Sequence, residues 1–296
     1  MKHIQECPVC KSKDFRQILE AKDHLVSGEI FQISECNDCR LRFTNPIPDE
    51  TEIGKYYQSQ DYISHTNTSQ GLINRTYQFV RNITLIGKKK LIQKESKIKT
   101  REILDIGCGT GEFLSTMHNA GWNVFGLEPD EGARKLANTN YQLQIDSPEK
   151  LFEFSENSFD VITMWHVLEH VHRLDDNIKQ ISKILNPDGI LLIAVPNYTS
   201  YDADHYHTHW AAYDVPRHLN HFSPRSMRTL LNRFHLKLEK MKRMPFDSFY
   251  VSMLSEKYKG GSIFKAFWNG LCSNLKALFN TERCSSIIYI VHKNND

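Results

Sequence analysis

Three groups of residues in this 296-residue chain have the types and the spacing for chemistry. Near the N-terminus, Cys7-Pro-Val-Cys10 and Cys36-Asn-Asp-Cys39 each place two thiols on one tight turn. Two such knuckles complete a tetrahedral four-thiolate site, the arrangement of structural zinc, with no coordination position left open. In the middle, Asp105-Ile-Gly107-Cys-Gly109-Thr-Gly111 is a turn that can bring backbone close to a ligand. Farther on, "MWHVLEHVHRL" carries His166, Glu169 and His170. On a helix, positions i, i+3 and i+4 share a face. Two imidazoles and a carboxylate there would hold a divalent metal or move a proton.

The elements that must position these groups can be read around them. "REILDIG", "NVFGLEPD", "FDVITMW" and "GILLIAVPN" are short apolar runs without alternation, as buried parallel strands require. Helical segments lie between them, so the chain from Arg101 onward reads as a doubly wound α/β sheet. The glycine turn sits between the first strand and a helix. A dinucleotide turn would be G-x-G-x-x-G, but the third glycine falls at Glu112, and an acid at a helix start repels a pyrophosphate. A cofactor without phosphate fits better. Glu128 ends the second strand, where a carboxylate accepts hydrogen bonds from both ribose hydroxyls. Cys108, inside the turn, reads as packing rather than as a nucleophile.

Taken together, "ILDIGCGTG", "GLEPD", "FDVITMWHVLEHV" and "ILNPDGILLIAVPN" resemble, in order, four motifs of class I S-adenosylmethionine-dependent methyltransferases. The resemblance implies a Rossmann-like seven-stranded methyltransferase sheet, with a small N-terminal zinc ribbon and a helical insertion before the last strand. It implies that Asp105, Gly107, Gly109 and Gly111 shape the loop against the methionine and ribose of S-adenosylmethionine. Glu128 would hold the ribose, Asp146 and Ser147 would border the adenine, and Trp165 would lie against the cofactor. The cysteine module, the "TNP" segment and the sheet together resemble zinc-ribbon methyltransferases of glycan or metabolite pathways. The Leu168-Glu169-His170-Val171 piece is similar to the ubiquinone-pathway O-methyltransferases. In that family an acid stands at the position of His166 and, with the residues matching Glu169 and His170, is thought to hold a divalent ion. Histidine at 166 departs from that pattern and leaves the metal and its identity open.

The remaining segments divide into a zinc-ribbon module (1–45), a helical linker and cap (46–100) and the cofactor domain (101–296). Within the module, Arg16 to Cys36 reads as a hairpin with Ser27-Gly28 at its turn. A helix is expected to start near Asp49. Residues 198–222 are expected to form a substrate lid at the end of the fifth strand. If extended, His205, His207 and His209 share one face. His218 and His170 are the leading candidates for a catalytic base, and Arg217 for an anion partner or a structural ion pair. Ser223 and Pro224 start a capped helix. The insertion, 245–283, holds apolar residues at helical spacing: Phe264, Phe267, Trp268, Leu271, Leu275 and Leu278. These would pack on the core or a second copy, cover an apolar substrate, or contact a membrane surface with help from nearby lysines.

Composition narrows the classes. The 37 basic and 35 acidic residues leave a net charge of +2, which gives no electrostatic basis for nucleic-acid binding. The polar start of the chain and the lack of a membrane-length apolar run lead to the expectation of a cytoplasmic protein. Seven cysteines, an odd number, suit metal binding better than a disulfide framework. The reading that results is a methyltransferase for a small-molecule, sugar or lipid-linked acceptor, through O- or C-methylation. Its alternatives are a catalytically silent partner-binding protein and a zinc protease built on H-x-x-E-H.

Overall fold

The computed structural model describes residues 1–57, 72–96 and 100–294, leaving aside the side chains of 72–79. Two sheets organise the chain. The N-terminal one pairs β1 (Phe15–Lys22), β2 (Ile30–Cys36), β3 (Arg42–Thr44) and the two-residue β9 (Asn220–His221), all antiparallel. β1 and β2 form the expected hairpin, with Gly28 at positive φ in the turn. The larger sheet contains β4 (Glu102–Ile106), β5 (Asn123–Leu127), β6 (Ile145–Asp146), β7 (Phe159–Trp165), β8 (Leu185–Pro196), β10 (Leu236–Arg243) and β11 (Ser286–Lys293). Its order is β10-β11-β8-β7-β4-β5-β6. The first five strands in sequence are parallel, and β11 enters antiparallel between β8 and β10. This is the seven-stranded α/β sheet that the sequence resemblance implied, joined to a small antiparallel sheet with a cysteine cluster.

The apolar runs are strands because both of their faces are covered. On one face Leu104, Ile106, Ile162, Leu191 and Ile193 meet Ile178 and Ile181 of α4 (Leu174–Ile184) and Leu230 of α6 (Pro224–Asn232). On the other, Ile103, Val161, Ile190 and Leu192 meet Phe113 and Met117 of α2 (Glu112–His118) and Ile92 of α1 (Leu72–Glu95). The predicted cap of α6 is present: Ser223 accepts from the Ser226 amide and Pro224 opens the helix. Helix α3 (Glu131–Tyr141) is capped by Asp130, which accepts from Ala133 N–H at 2.7 Å.

Several expectations need correction. In place of a helix from Asp49, the chain makes a turn and a short 3₁₀ stretch at Ile53–Tyr57. Residues 58–71 and 97–99 of the expected linker lie outside the described residues. Residues 198–222 are folded rather than extended. They contain α5 (Tyr201–Tyr206) and two 3₁₀ turns, so His205, His207 and His209 do not alternate along a strand. Tyr206, Trp210, Tyr213 and Val215 are buried against Phe31, Ile33 and Tyr56 of the N-terminal part. Here local turn residues and long-range burial override the period-2 pattern. The insertion is two helices, α7 (Pro245–Lys259) and α8 (Ile263–Phe279). The apolar stripe predicted on α8 points away from the core, and small residues (Ala266, Gly270, Ser273, Ala277) are the ones buried.

Arg217 is buried, with 1% of its side chain exposed, and it joins the segment after β8 to the N-terminal part of the chain. It donates to Asp23 Oδ1 at 2.9 Å, to Asp214 Oδ1 at 2.7 Å and to the Tyr56 carbonyl at 2.7 Å. It is therefore a structural ion pair and not an anion site. Removing one member of such a buried network strands the other charges. Arg217→Ala is accordingly expected to cost about 3–5 kcal/mol in urea unfolding, with Arg217→Lys recovering only part because Lys lacks the planar fork.

Candidate functional site

The glycine turn follows from its dihedrals. Gly107, Gly109 and Gly111 lie at φ of 69°, 55° and 85°, a region that side-chain-bearing residues avoid. Gly107 also lacks room: a Cβ there would stand 2.4 Å from Val167 Cγ2. The turn is fastened to the second strand. The amide of Gly109 donates to Glu128 Oε2 at 2.9 Å, and that of Asp130 donates to Oε1 at 3.0 Å. Burial raises the Glu128 carboxyl above its ordinary range, against those two bonds. Each oxygen keeps a further lone pair for a ligand hydroxyl. The Glu128 amide donates to the carbonyl of Asp146, so the ends of β5 and β6 meet there, with Ser147 next in the chain.

Asp105, at the end of β4, is buried and accepts from Thr163 Oγ1 at 2.5 Å. Burial lifts its carboxyl to about 7. Trp165 ends β7 and meets Phe113 edge-on, with ring centroids 5.6 Å apart. The Lys88 ammonium of α1 lies 4.2 Å from the centre of the Trp165 ring. Burial lowers this lysine to about 8 in spite of the pull of Asp105. Arg81, also on α1, pairs with Glu112. The structure thus gathers Asp105, Gly107, Gly109, Gly111, Glu128, Asp146, Ser147 and Trp165 around the C-terminal ends of four neighbouring parallel strands. That edge is where open α/β sheets bind ligands.

The second group departs from expectation. His166, Glu169 and His170 do not share a helical face, because His166 sits at φ 58° and only Leu168–His170 form a 3₁₀ turn. His166 Nε2 lies 3.0 Å from Asp247 Oδ2, and its Nδ1 lies 3.4 Å from Glu169 Oε1. Burial disfavours its imidazolium, yet these two carboxylates outweigh that and raise its pKa to about 10. The residues that converge are Glu169, His170 and His218, with one ligand atom from each within 4.8 Å of the others. The trio proposed for a metal is therefore corrected: His218 takes the place of His166. This also removes the geometry of a helical H-x-x-E-H protease site.

Glu169 is 1% exposed; among the described residues its oxygens make no well-formed hydrogen bond, and the nearest cation-forming group is His166 Nδ1, 3.4 Å from Oε1. His218 Nε2 is 4.0 Å from Glu169 Oε1, while His218 Nδ1 lies 2.8 Å from the Ala212 carbonyl. A carbonyl can only accept, so that bond places a proton on Nδ1, and in the neutral ring it makes Nε2, which faces Glu169, the nitrogen free to take a proton. His170 Nδ1 lies 3.0 Å from both Tyr57 Oη and the Arg217 carbonyl. Burial, with the nearby His218, drives His170 down to about 4, so it is neutral near pH 7. A small void, without room for a water molecule, lies at this cluster and is lined by Glu169, Trp210, His218, Asn220 and His221. Tyr57, Asp247 and Lys88 were not foreseen from the sequence. Each reaches the site from an element far away in the chain, without a spacing signal.

In the N-terminal module the Sγ atoms of Cys7 and Cys39 are 3.5 Å apart and those of Cys10 and Cys36 are 3.4 Å apart. All four lie within 4.8 Å of one another, near the edge lengths of a tetrahedron built on a zinc–sulfur bond of about 2.3 Å. The Cys7 thiol is drawn down to about 6, chiefly by its bond with Cys39, which is itself pushed up. The cluster is consistent with a zinc ribbon. Cys108 is buried, and its thiol is pushed up by burial, as packing requires.

Comparison with known proteins fits this geometry. Residues 74–240 match the family model described as "Methyltransferase domain". The ubiquinone biosynthesis O-methyltransferase of Pelagibacter ubique is 36% identical over 118 residues, covering 37% of this chain and 48% of that protein. Its counterpart in Actinobacillus pleuropneumoniae serotype 5b is 37% identical over 119 residues, covering 36% and 50%. The chain thus spans about half the length of these relatives. Among solved structures, a SAM-dependent methyltransferase from Archaeoglobus fulgidus superposes with TM-score 0.50 at 20% identity, covering 72% of this chain and 94% of that one. At that identity the likeness speaks for the fold.

The close approach at the glycine turn is directly testable. Gly107→Ala is expected to destabilise the chain by about 1–3 kcal/mol, through positive φ and the clash with Val167. Adding Val167→Ala should return part of that loss, a coupling readable from a double-mutant cycle in urea.

Proposed function

The chain belongs to the methyltransferase domain family, and from that premise we propose that it transfers the methyl group of S-adenosylmethionine to a small-molecule, sugar or lipid-linked acceptor. The observation that carries this reading is the buried Glu128 carboxylate fastened to the amide of Gly109. It places a ribose-binding acid against a turn whose glycines let backbone approach a ligand. The sulfonium of S-adenosylmethionine supplies an electrophilic methyl group with a good leaving group already attached. What remains for the protein is to position, to exclude water and to take a proton.

On this reading Glu128 accepts from the ribose hydroxyls, and the backbone of Gly107, Gly109 and Gly111 lies along ribose and methionine. Asp105 holds the turn from beneath. Asp146 and Ser147 border the adenine, and Trp165 flanks the cofactor. Val167 packs under Gly107, and two residues later Glu169 faces His218, so one short segment links the cofactor wall to the basic cluster. His218 is the base: its Nε2 lone pair takes the proton of the acceptor, and the Glu169 carboxylate stabilises the imidazolium that forms. His170, held neutral, orients the cluster, and His166 is committed to Asp247. The relatives named for ubiquinone biosynthesis are O-methyltransferases, which favours an oxygen nucleophile here. The Glu169 carboxylate, buried without a well-formed hydrogen bond among the described residues, supports a second reading of the same cluster. Glu169, His170 and His218 would hold a divalent ion that lowers the pKa of the acceptor. Cys7, Cys10, Cys36 and Cys39 hold a structural zinc.

Three outcomes follow. Isothermal titration should show S-adenosylmethionine binding, weakened at least about tenfold by Glu128→Gln through loss of a charge-assisted bond; a wild-type chain that binds neither the cofactor nor its homocysteine product contradicts the reading. His218→Gln should slow methyl transfer by about 10²–10⁴-fold while cofactor affinity stays the same. Metal analysis should find about one zinc per chain, lost with Cys36→Ser. A second equivalent of metal that survives Cys36→Ser and is lost with Glu169→Gln would select the divalent-ion reading of the cluster.

A further inference from the structure

Helix α8 is built inside out. Its buried positions are Ala266, Asn269, Gly270, Ser273 and Ala277. Its large apolar side chains face solvent, with Phe264 85%, Trp268 64% and Phe279 93% exposed. Helix α7 adds a stripe at helical spacing, Phe246, Tyr250 and Met253, all exposed. The small inner residues let the two helices approach closely: a Cβ on Gly270 would meet Phe249 Cα at 3.0 Å. Ser273 and Asn269 tie α8 inward to Asp202 and Tyr206. The outward face is therefore fixed by the packing of the inner one. Monomers rarely expose a contiguous apolar patch of this kind without a use for it.

The charges around the patch select its occupant. Between Pro245 and Asn280 the chain has two acids, and both turn inward, Asp247 to His166 and the buried Glu256 to Asn269. The four basic residues of the same segment, Lys257, Lys259, Lys265 and Lys276, are all exposed. A second copy of this face would set lysine against lysine. An anionic lipid surface would meet both features, with the aromatic rings in the acyl boundary and the lysines among the headgroups. No helix among the described residues is long and apolar enough to cross a membrane, so the contact is with one leaflet. Helix α8, about 25 Å long at 1.5 Å per residue, would lie in the plane of that surface.

We propose that the α7–α8 hairpin docks this protein on anionic lipid bilayers. The contact stands on this face alone and does not depend on which acceptor is methylated. The test uses the full chain with vesicles of phosphatidylcholine, with or without phosphatidylglycerol. The chain should sediment with the phosphatidylglycerol vesicles and be released by salt. Its tryptophan emission should shift to the blue, because Trp268 is exposed while Trp122 and Trp210 are buried. Phe264→Ser with Trp268→Ser should reduce partitioning at least about tenfold. Lys265→Glu with Lys276→Glu should reduce it as well. Unchanged circular dichroism and cofactor affinity would show both variants folded. Failure of the wild type to sediment, or equal sedimentation with the neutral vesicles, overturns the proposal. So does a stable dimer in light scattering that captures no vesicles and is split by the serine variants.

Discussion

Much of this structure hangs on one buried cation. Arg217 lies where the N-terminal sheet, the 3₁₀ stretch at Ile53–Tyr57 and the segment after β8 come together, and it bonds to a member of each. A guanidinium out of water is tolerable only if its donors are matched by acceptors, and the planar fork of arginine allows that matching. The consequence reaches the site. The Arg217 carbonyl receives His170 Nδ1, and the next residue is His218, whose Nε2 faces Glu169. The N-terminal cysteine module is thereby packed against the same cluster. β3 pairs with β9 directly beside His218, and Thr44 Oγ1 donates to the His218 carbonyl at 2.8 Å. The four-cysteine cluster holds the module that holds the histidine.

What the sequence made legible was local. The apolar strands, the glycine turn, the acid at the tip of β5, the hairpin of the module and the cap of α6 each depend on residues a few positions apart, and each is present. Failures arose where distant segments meet. His166 was read onto a helical face with Glu169 and His170, but the chain turns through a left-handed residue at His166 and draws it to Asp247. His218 joins Glu169 because β3 and β9 pair, which no spacing reports. The same limit explains α8. Helical periodicity identifies an apolar face, but it does not say which way that face points when the opposite face is lined by alanine, glycine and serine.

The two halves of the site differ in how they are tuned. Around the glycine turn, acids are buried and their carboxyls are raised, while fixed amides aim at Glu128 and the turn itself is rigid. Around Glu169 the opposite holds: burial pushes its carboxyl up, but the contact with His166 and the nearby histidines hold it below the ordinary range. A preorganised cradle beside a cluster of histidines and a buried carboxylate suits a reaction whose leaving group is already activated and whose acceptor must lose a proton. Lys88, stacked on Trp165 and facing Asp105, puts positive charge at the seam between the two.

On the proposed function, S-adenosylmethionine would lie along the glycine turn with its reactive end toward the Glu169–His218 cluster. The most direct measurement is a crystal structure of the full chain with S-adenosylhomocysteine. The account predicts both ribose hydroxyls on Glu128 and the sulfur beyond Trp165, facing the cluster of Glu169 and His218. A ligand bound elsewhere, or with its sulfur turned away from that cluster, would contradict it.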